Sequence, residues 1–219
     1  MTPIFITGGT GYMGKRLLKA LVSRGYDVTA LVRKGSERKL PKGVRAIIAN
    51  PFDPATFQQW IPKGAVFVQL LGVPHPSPQK KDQFTEVDLR SVKASADAAA
   101  AIGASHFVYL SVAMTQSNVM KEYQAVRKEG EAYLQTKPLS CTFIRPWYVL
   151  GPGHWWPVLL LPFYGLAQFK EAWRKKAAAF SLVTLKQMLC ILIKAIETPP
   201  AQRRIIEVQH IKKEILPQI

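Results

Sequence analysis

A chain of 219 residues, 48% hydrophobic and 20% charged, is long enough to bury one substantial core, and it has no uninterrupted apolar run of about 18 residues to cross a bilayer as a helix. Its net charge of +16 draws polyanions of any kind, whether a dinucleotide phosphate, a nucleic acid or an anionic membrane surface. The cations are scattered at Arg33, Lys34, Arg38, Lys39 and Lys42, at Arg174, Lys175 and Lys176, and at Lys212 and Lys213; none falls in a nucleic-acid-binding motif, so no nucleic-acid partner is expected.

In chain order, Thr2-Pro-Ile-Phe-Ile-Thr7 reads as a buried strand, Gly8-Gly-Thr-Gly-Tyr-Met-Gly14 as a glycine-rich turn and Lys15-Arg-Leu-Leu-Lys-Ala-Leu-Val22 as the start of a helix. Such a unit binds a dinucleotide pyrophosphate. Gly8 allows the tight turn, Gly11 lets backbone amides approach phosphate oxygens, and Gly14 lets the helix pack closely on the strand. Thr10, Tyr12 and Met13 complete the loop that would line the coenzyme. The anion sits at a helix N-terminus, where unpaired amides and the helix dipole both favour it.

Further strands are expected over 28–32, 46–49, 66–70, 107–110 and 142–145, and helices over 13–24, 54–60, 84–102, 121–135 and 185–197. The alternation predicts an α/β fold, a doubly wound parallel sheet with helices on both faces and right-handed crossovers. Residues 1–219 read as a single domain, with an apolar lid over 147–183 as a short C-terminal extension on the substrate side. The first residues lack the basic, apolar and small-residue sequence of a leader peptide, so a cytoplasmic location is expected. Cys141 and Cys190 lie in apolar settings that suit small buried hydrophobes, so neither a disulfide nor a metal site is expected.

The turn spacing is Gly-x-x-Gly-x-x-Gly preceded by Thr7, not the Gly-x-Gly-x-x-Gly of many dehydrogenases. With it the chain resembles the short-chain dehydrogenase/reductase superfamily, in the extended and atypical branches that include nucleotide-sugar epimerases, NmrA-like regulators and flavin or biliverdin reductases. A second segment, Ile144-Arg-Pro-Trp-Tyr-Val-Leu-Gly-Pro-Gly153, resembles the Arg-Pro-x-x-Val-x-Gly-Pro-Gly stretch of the same branches. That resemblance implies a Rossmann fold and places Pro146 beside the nicotinamide carboxamide. It covers nearly the whole chain. The 73 residues after Pro146 are fewer than the substrate domain of the sugar-nucleotide epimerases, which points to an atypical member.

In open α/β sheets the ligand lies beyond the carboxyl ends of the strands. After the second strand stand Arg33 and Lys34, where NAD-preferring proteins carry an acid for the adenosine ribose. A guanidinium there can pair with a 2′-phosphate, so NADP(H) is expected in preference to NAD(H). Asn50-Pro51 follows the third strand; Asn50 can meet an adenine edge, or serve as a turn residue before the proline. Leu71 and Gly72 follow the fourth, where the resemblance implies close approach of the two riboses.

Ser111 ends the fifth strand at the position where the superfamily places the serine that hydrogen-bonds a substrate carbonyl or alcohol. The resemblance further implies a proton-donating tyrosine and a ribose-binding lysine in the pattern Tyr-x-x-x-Lys. Here Tyr123-Gln-Ala-Val-Arg127 replaces the lysine by arginine. Both residues share a helix face, and Arg127 can hold ribose hydroxyls and favour tyrosinate but cannot exchange a proton. Ser111, Tyr123 and Arg127 therefore read either as catalytic residues or as remnants shaping a coenzyme pocket.

On the substrate side stand His75, Trp147, His154 and Trp155, the last two opening an apolar, proline-broken segment over 154–169. That segment can cover a flavin, quinone or enone, form a subunit interface, rest on a bilayer, or fill the core. Three functions remain open: an NADPH-dependent reductase acting on a small apolar or flat aromatic acceptor, an NADP(H)-sensing regulator of the NmrA-like kind, and an assembly protein at a membrane surface. A monomer or homodimer suits any of them.

Overall fold

The computed structural model describes residues 2–115, 120–153 and 181–214, and all that follows concerns these residues. Along the chain lie β1 (Ile4–Thr7), α1 (Gly14–Ser23), β2 (Val28–Val32), β3 (Val44–Ile48), β4 (Val66–Gln69), α2 (Lys81–Gln83), α3 (Arg90–Ala101), β5 (His106–Leu110), α4 (Lys121–Gln135) and β6 (Cys141–Arg145). They are followed by β7 (Tyr148–Leu150), β8 (Leu182–Thr184), α5 (Leu185–Glu197), β9 (Arg203–Glu207) and α6 (Val208–Lys213).

Every residue of β1, β2 and β4 is buried, as their continuous apolar runs require of strands covered on both faces. Alternation along β1 sends Ile4 and Ile6 to one side and Phe5 to the other. Leu17, Leu18 and Leu21 of α1 and Met188, Leu192 and Ile196 of α5 cover the first side. The second holds a ladder of rings across three strands, Phe5 to Phe67 at 5.2 Å and Phe67 to Phe107 at 4.9 Å. The alanines of α3 let that helix lie close on these large rings, and Ala96, Ala98 and Ala99 are fully buried there.

The strands form a doubly wound sheet of seven in the order β3-β2-β1-β4-β5-β6-β9, every pairing parallel. β1 pairs with both β2 and β4, so the strand order reverses there and opens a crevice at their carboxyl ends. This is the Rossmann arrangement.

Four local features differ from the sequence reading. The helix expected over 54–60 is two 3-10 turns, Pro54–Thr56 and Gln58–Trp60, pinned by the fully buried Phe57 between them; about seven residues are too few to sustain an isolated helix. β3 begins at Val44, two residues before the expected start. The helix expected from 84 begins at Lys81 and passes through a π-helical segment, Phe84–Leu89, into α3. β9 and α6 complete the sheet edge, and β7 pairs with β8 in a small separate ladder. No helix among the described residues is long and apolar enough to cross a membrane.

Candidate functional site

The glycine turn forms as its spacing predicts. Gly8 has φ +72°, and a Cβ on it would lie 2.6 Å from the backbone of Leu70 and Leu71. The loops after β1 and β4 are thus in direct backbone contact. A Cβ on Gly14 would overlap the Gly8 carbonyl oxygen and stand 2.7 Å from Gly9 Cα. The Gly11 amide closes the turn onto the Gly8 oxygen at 3.0 Å. At the start of α1, Met13 caps with no side-chain bond and the first turn carries no acid, so no side chain competes for the leading amides. A cradle of glycines blocked by backbone, opening on such a helix start, fits a dinucleotide pyrophosphate.

Tyr12 links the two long motifs. Arg16 lies over its ring at 4.5 Å and donates to its carbonyl at 2.7 Å, while a Cβ on Gly151 would meet its hydroxyl. Met13, Leu70 and Trp147 all pack on one core cluster, and Thr10 is half-buried in the same turn. Pro146 is buried, and its carbonyl accepts from the Ala113 amide at 2.9 Å.

Arg33 and Lys34 are exposed just beyond β2 and enter no ion pair among the described residues. Asn50 makes a turn contact: its Oδ1 accepts from the Phe52 amide at 3.1 Å across Pro51. His75 is exposed, at φ +49°, in a proline-rich loop. His154 and Trp155 lie outside the described residues, as does 154–180 of the expected lid.

Ser111 lies one residue past β5 and is 4% exposed. Its amide donates to the Ile144 carbonyl at 2.8 Å, yet its hydroxyl has no hydrogen-bond partner among the described residues. A buried hydroxyl left unpaired costs about 1–3 kcal/mol, and this one stands at the carboxyl end of a central strand.

Tyr123 and Arg127 share one face of α4 as expected, with the guanidinium 5.1 Å from the Tyr123 ring centre. Arg127 has partners that its spacing from Tyr123 does not disclose. The side chain is buried and ion-paired with Asp88, and it donates to the Leu110 carbonyl at 2.9 Å and to the Tyr109 hydroxyl at 3.4 Å. The buried Asp88 carboxylate is a charge-assisted acceptor for this guanidinium, in the place where the sequence resemblance implies ribose hydroxyls. Asp88 also accepts from the Val73 amide at 3.1 Å. Gly72 is crowded by the pair, for a Cβ there would run into the guanidinium and lie 2.7 Å from Asp88 Oδ1. Burial raises the Asp88 carboxyl, with Arg127 opposing. Burial also raises the Tyr123 phenol, which Arg127 lowers and Asp88 raises further. The fully buried Tyr109 is pushed up to about 12.

Asp88 escaped the sequence reading, as did a buried network beneath the crevice. Thr7 donates to Gln69, whose amide reaches Ser91 at 3.0 Å and whose carbonyl accepts from Ser95 at 3.0 Å. The signal was a polar stripe, Asp88, Ser91 and Ser95, at helical spacing on a face otherwise apolar. Arg145, inside the Arg-Pro motif, is a further such residue. It ties α4 to β9, donating to Glu131 at 2.9 Å and to Glu207 at 2.7 Å.

Comparison with known proteins bears on this geometry. A ceramide reductase of Caulobacter vibrioides (strain NA1000 / CB15N) is 26% identical over 152 residues, 68% of this chain and 47% of that protein. A chloroplastic divinyl chlorophyllide a 8-vinyl-reductase of Oryza sativa subsp. indica is 27% identical over 142 residues, 59% of this chain and 35% of that protein. The chain thus spans about half the length, or less, of these curated relatives. Among solved structures, the Bordetella bronchiseptica enzyme WbmH in complex with NAD+ superposes with TM-score 0.69 at 18% identity, over 94% of this chain and 75% of that one, a likeness of fold. Residues 8–151 match the model of a family described as NAD(P)H-binding, and the chain belongs to that family, as a Rossmann-fold member with reductases of the atypical short-chain kind among its relatives.

Proposed function

We propose that the chain is an NADP(H)-dependent reductase that transfers hydride to a small apolar or flat aromatic acceptor. The observation that carries the reading is the buried Ser111 hydroxyl, without a partner among the described residues, at the carboxyl end of β5 and on the same carboxyl edge of the sheet as a cradle suited to a pyrophosphate. Gly8, Gly11, Gly14 and the first turn of α1 hold the phosphates. Arg33, with Lys34 beside it, selects the 2′-phosphate, and one charge-assisted contact of about 1.5–3 kcal/mol corresponds to a preference of roughly ten- to a hundredfold. Leu71, Gly72 and Pro146 flank the ribose and carboxamide.

The reduced nicotinamide, when bound, supplies the hydride. Ser111 donates its hydroxyl proton as a hydrogen bond to the acceptor oxygen, which polarises the acceptor and satisfies the orphaned group at once. Tyr123 gives the proton that completes the reduction. Arg127 acts on the phenol through its charge.

The names of the two curated relatives, a ceramide reductase and a vinyl reductase, agree with an apolar acceptor. Calorimetry with NADPH and NADH, followed by NADPH oxidation with a panel of flavins, quinones and enones, tests the reading; an absence of heat with either coenzyme would refute it. The Asp88 pairing of Arg127 favours a second reading, in which the pocket reports NADP(H) occupancy to a partner without turnover. Clearly different affinities for NADP+ and NADPH, with no acceptor oxidising the bound NADPH, would decide for it.

A further inference from the structure

We propose that Asp88 is a positioning residue of this site: its carboxylate holds the Arg127 guanidinium between Gly72 and the Tyr123 ring, and so sets how much positive charge the phenol meets. This rests on the assignment of Tyr123 as proton donor and extends the site to a residue outside the tyrosine-arginine spacing.

Three parts of the fold converge on this carboxylate. One oxygen pairs with Arg127 on α4, and the other accepts from Val73 in the loop after β4 at 3.1 Å. Asp88 itself sits in the π-helical segment Phe84–Leu89, a rare turn that widens the helix and recurs at functional sites. A Cβ on Gly72 would strike both partners, so the loop after β4 passes the pair where a side chain has no room. The loop and the Tyr123 helix are therefore joined through one side chain.

Among the described residues, the groups facing Tyr123 are few. Arg127 faces it from its own helix, Asp88 from the π-helical segment and Tyr109 from β5, while the Phe84 ring closes another side at 5.0 Å. Tyr109 is neutral across the working range. Two charges of opposite sign thus act on the phenol, in surroundings where water screens them little. A lone cation in this place would drive Tyr123 toward its anion. Asp88 offsets that pull, so the pair supplies a fixed position for the guanidinium with only part of its field.

The test uses the full chain labelled with 3-fluorotyrosine, whose phenol is intrinsically more acidic, and follows the pH titration by fluorine NMR. The chain has 7 tyrosines, and the resonance lost in Tyr123→Phe assigns the signal. In Asp88→Asn the midpoint of Tyr123 should fall by about one pH unit or more, and in Arg127→Gln it should rise. Asp88→Glu, which returns the charge, should restore most of the wild-type midpoint; a side chain that only fills space would not show this rescue. An unchanged midpoint in folded Asp88→Asn overturns the proposal.

If Asp88→Asn does not fold, the double variant Asp88→Asn/Arg127→Gln buries no lone charge. At the alkaline pH of the titration, where Asp88 is ionised, its midpoint must lie below that of Arg127→Gln alone. Equal midpoints overturn the proposal by this route. Coenzyme calorimetry on the wild type is read separately, so a failed reductase reading and a failed role for Asp88 give different results.

Discussion

Alanine at Gly14 challenges the phosphate cradle at its tightest point. The added Cβ would overlap the Gly8 carbonyl oxygen and lie 2.7 Å from Gly9 Cα and 2.8 Å from Gly9 C. All three are backbone atoms continuous with β1, so no side chain can swing aside. Ordinary contact needs about 3.5–4.0 Å, which moves the start of α1 off the strand by about 1 Å. Overpacking of this kind destabilises by about 1–3 kcal/mol. The effect on the coenzyme is larger, because amide hydrogen bonds to phosphate hold only near 2.9 Å, roughly. Losing two of them at about 1.5–3 kcal/mol each weakens NADPH binding by about a hundredfold or more. Calorimetric titration measures the affinity and thermal melting the stability. Gly64→Ala is the control: its φ is +69° and nothing lies within 4 Å of the added Cβ, so it costs about 1–2 kcal/mol of backbone strain with no change in coenzyme affinity. Wild-type NADPH affinity in folded Gly14→Ala would refute the cradle.

Arg33→Asp should turn the coenzyme preference from NADPH toward NADH, by repelling the 2′-phosphate and accepting from the ribose hydroxyl; retained selectivity in paired titrations would show the phosphate sits elsewhere. Ser111→Ala removes a hydroxyl without a partner, so its melting temperature should hold or rise while turnover on a working acceptor falls by about 100-fold. Stability should also fall in acid through His106, whose buried imidazole is lowered from 6.5 to about 4. The unfolded chain takes up that proton first, so stability is full above about pH 6.5 and declines toward pH 4, by roughly 3 kcal/mol at most. Denaturant unfolding across that range should lose this component of its slope in His106→Asn, and an unaltered slope would count against the reading.

What was legible in the sequence follows from the range of each constraint. Gly8 and Gly14 answer to backbone a few residues away, so their spacing discloses the turn, and the buried runs of β1, β2 and β4 disclose central strands. Asn50 was legible as far as its turn, whose partner Phe52 is two residues on. β9 was not, because an edge strand that begins Arg203-Arg204 buries only Ile206 and its periodicity is masked by charge. The Asp88 partner of Arg127 was hidden for the opposite reason. The spacing of Arg127 from Tyr123 is local, but the acid that pairs with it lies 39 residues away, beyond the reach of any local pattern.

That pairing divides the electrostatics of the site. Of the three cations the sequence assigned to the coenzyme, Arg33 and Lys34 stay exposed beyond β2, whereas Arg127 is turned inward and balanced by Asp88. The charge that would choose the coenzyme is therefore in solvent and screened by salt, over a Debye length of about 8–10 Å. The charge that acts on Tyr123 is buried and screened little. Added salt should then erode the preference for NADPH over NADH while leaving the Tyr123 titration in place. Asp88→Asn should do the reverse, and a variant at either place that moved both properties together would show that the two charges work as one.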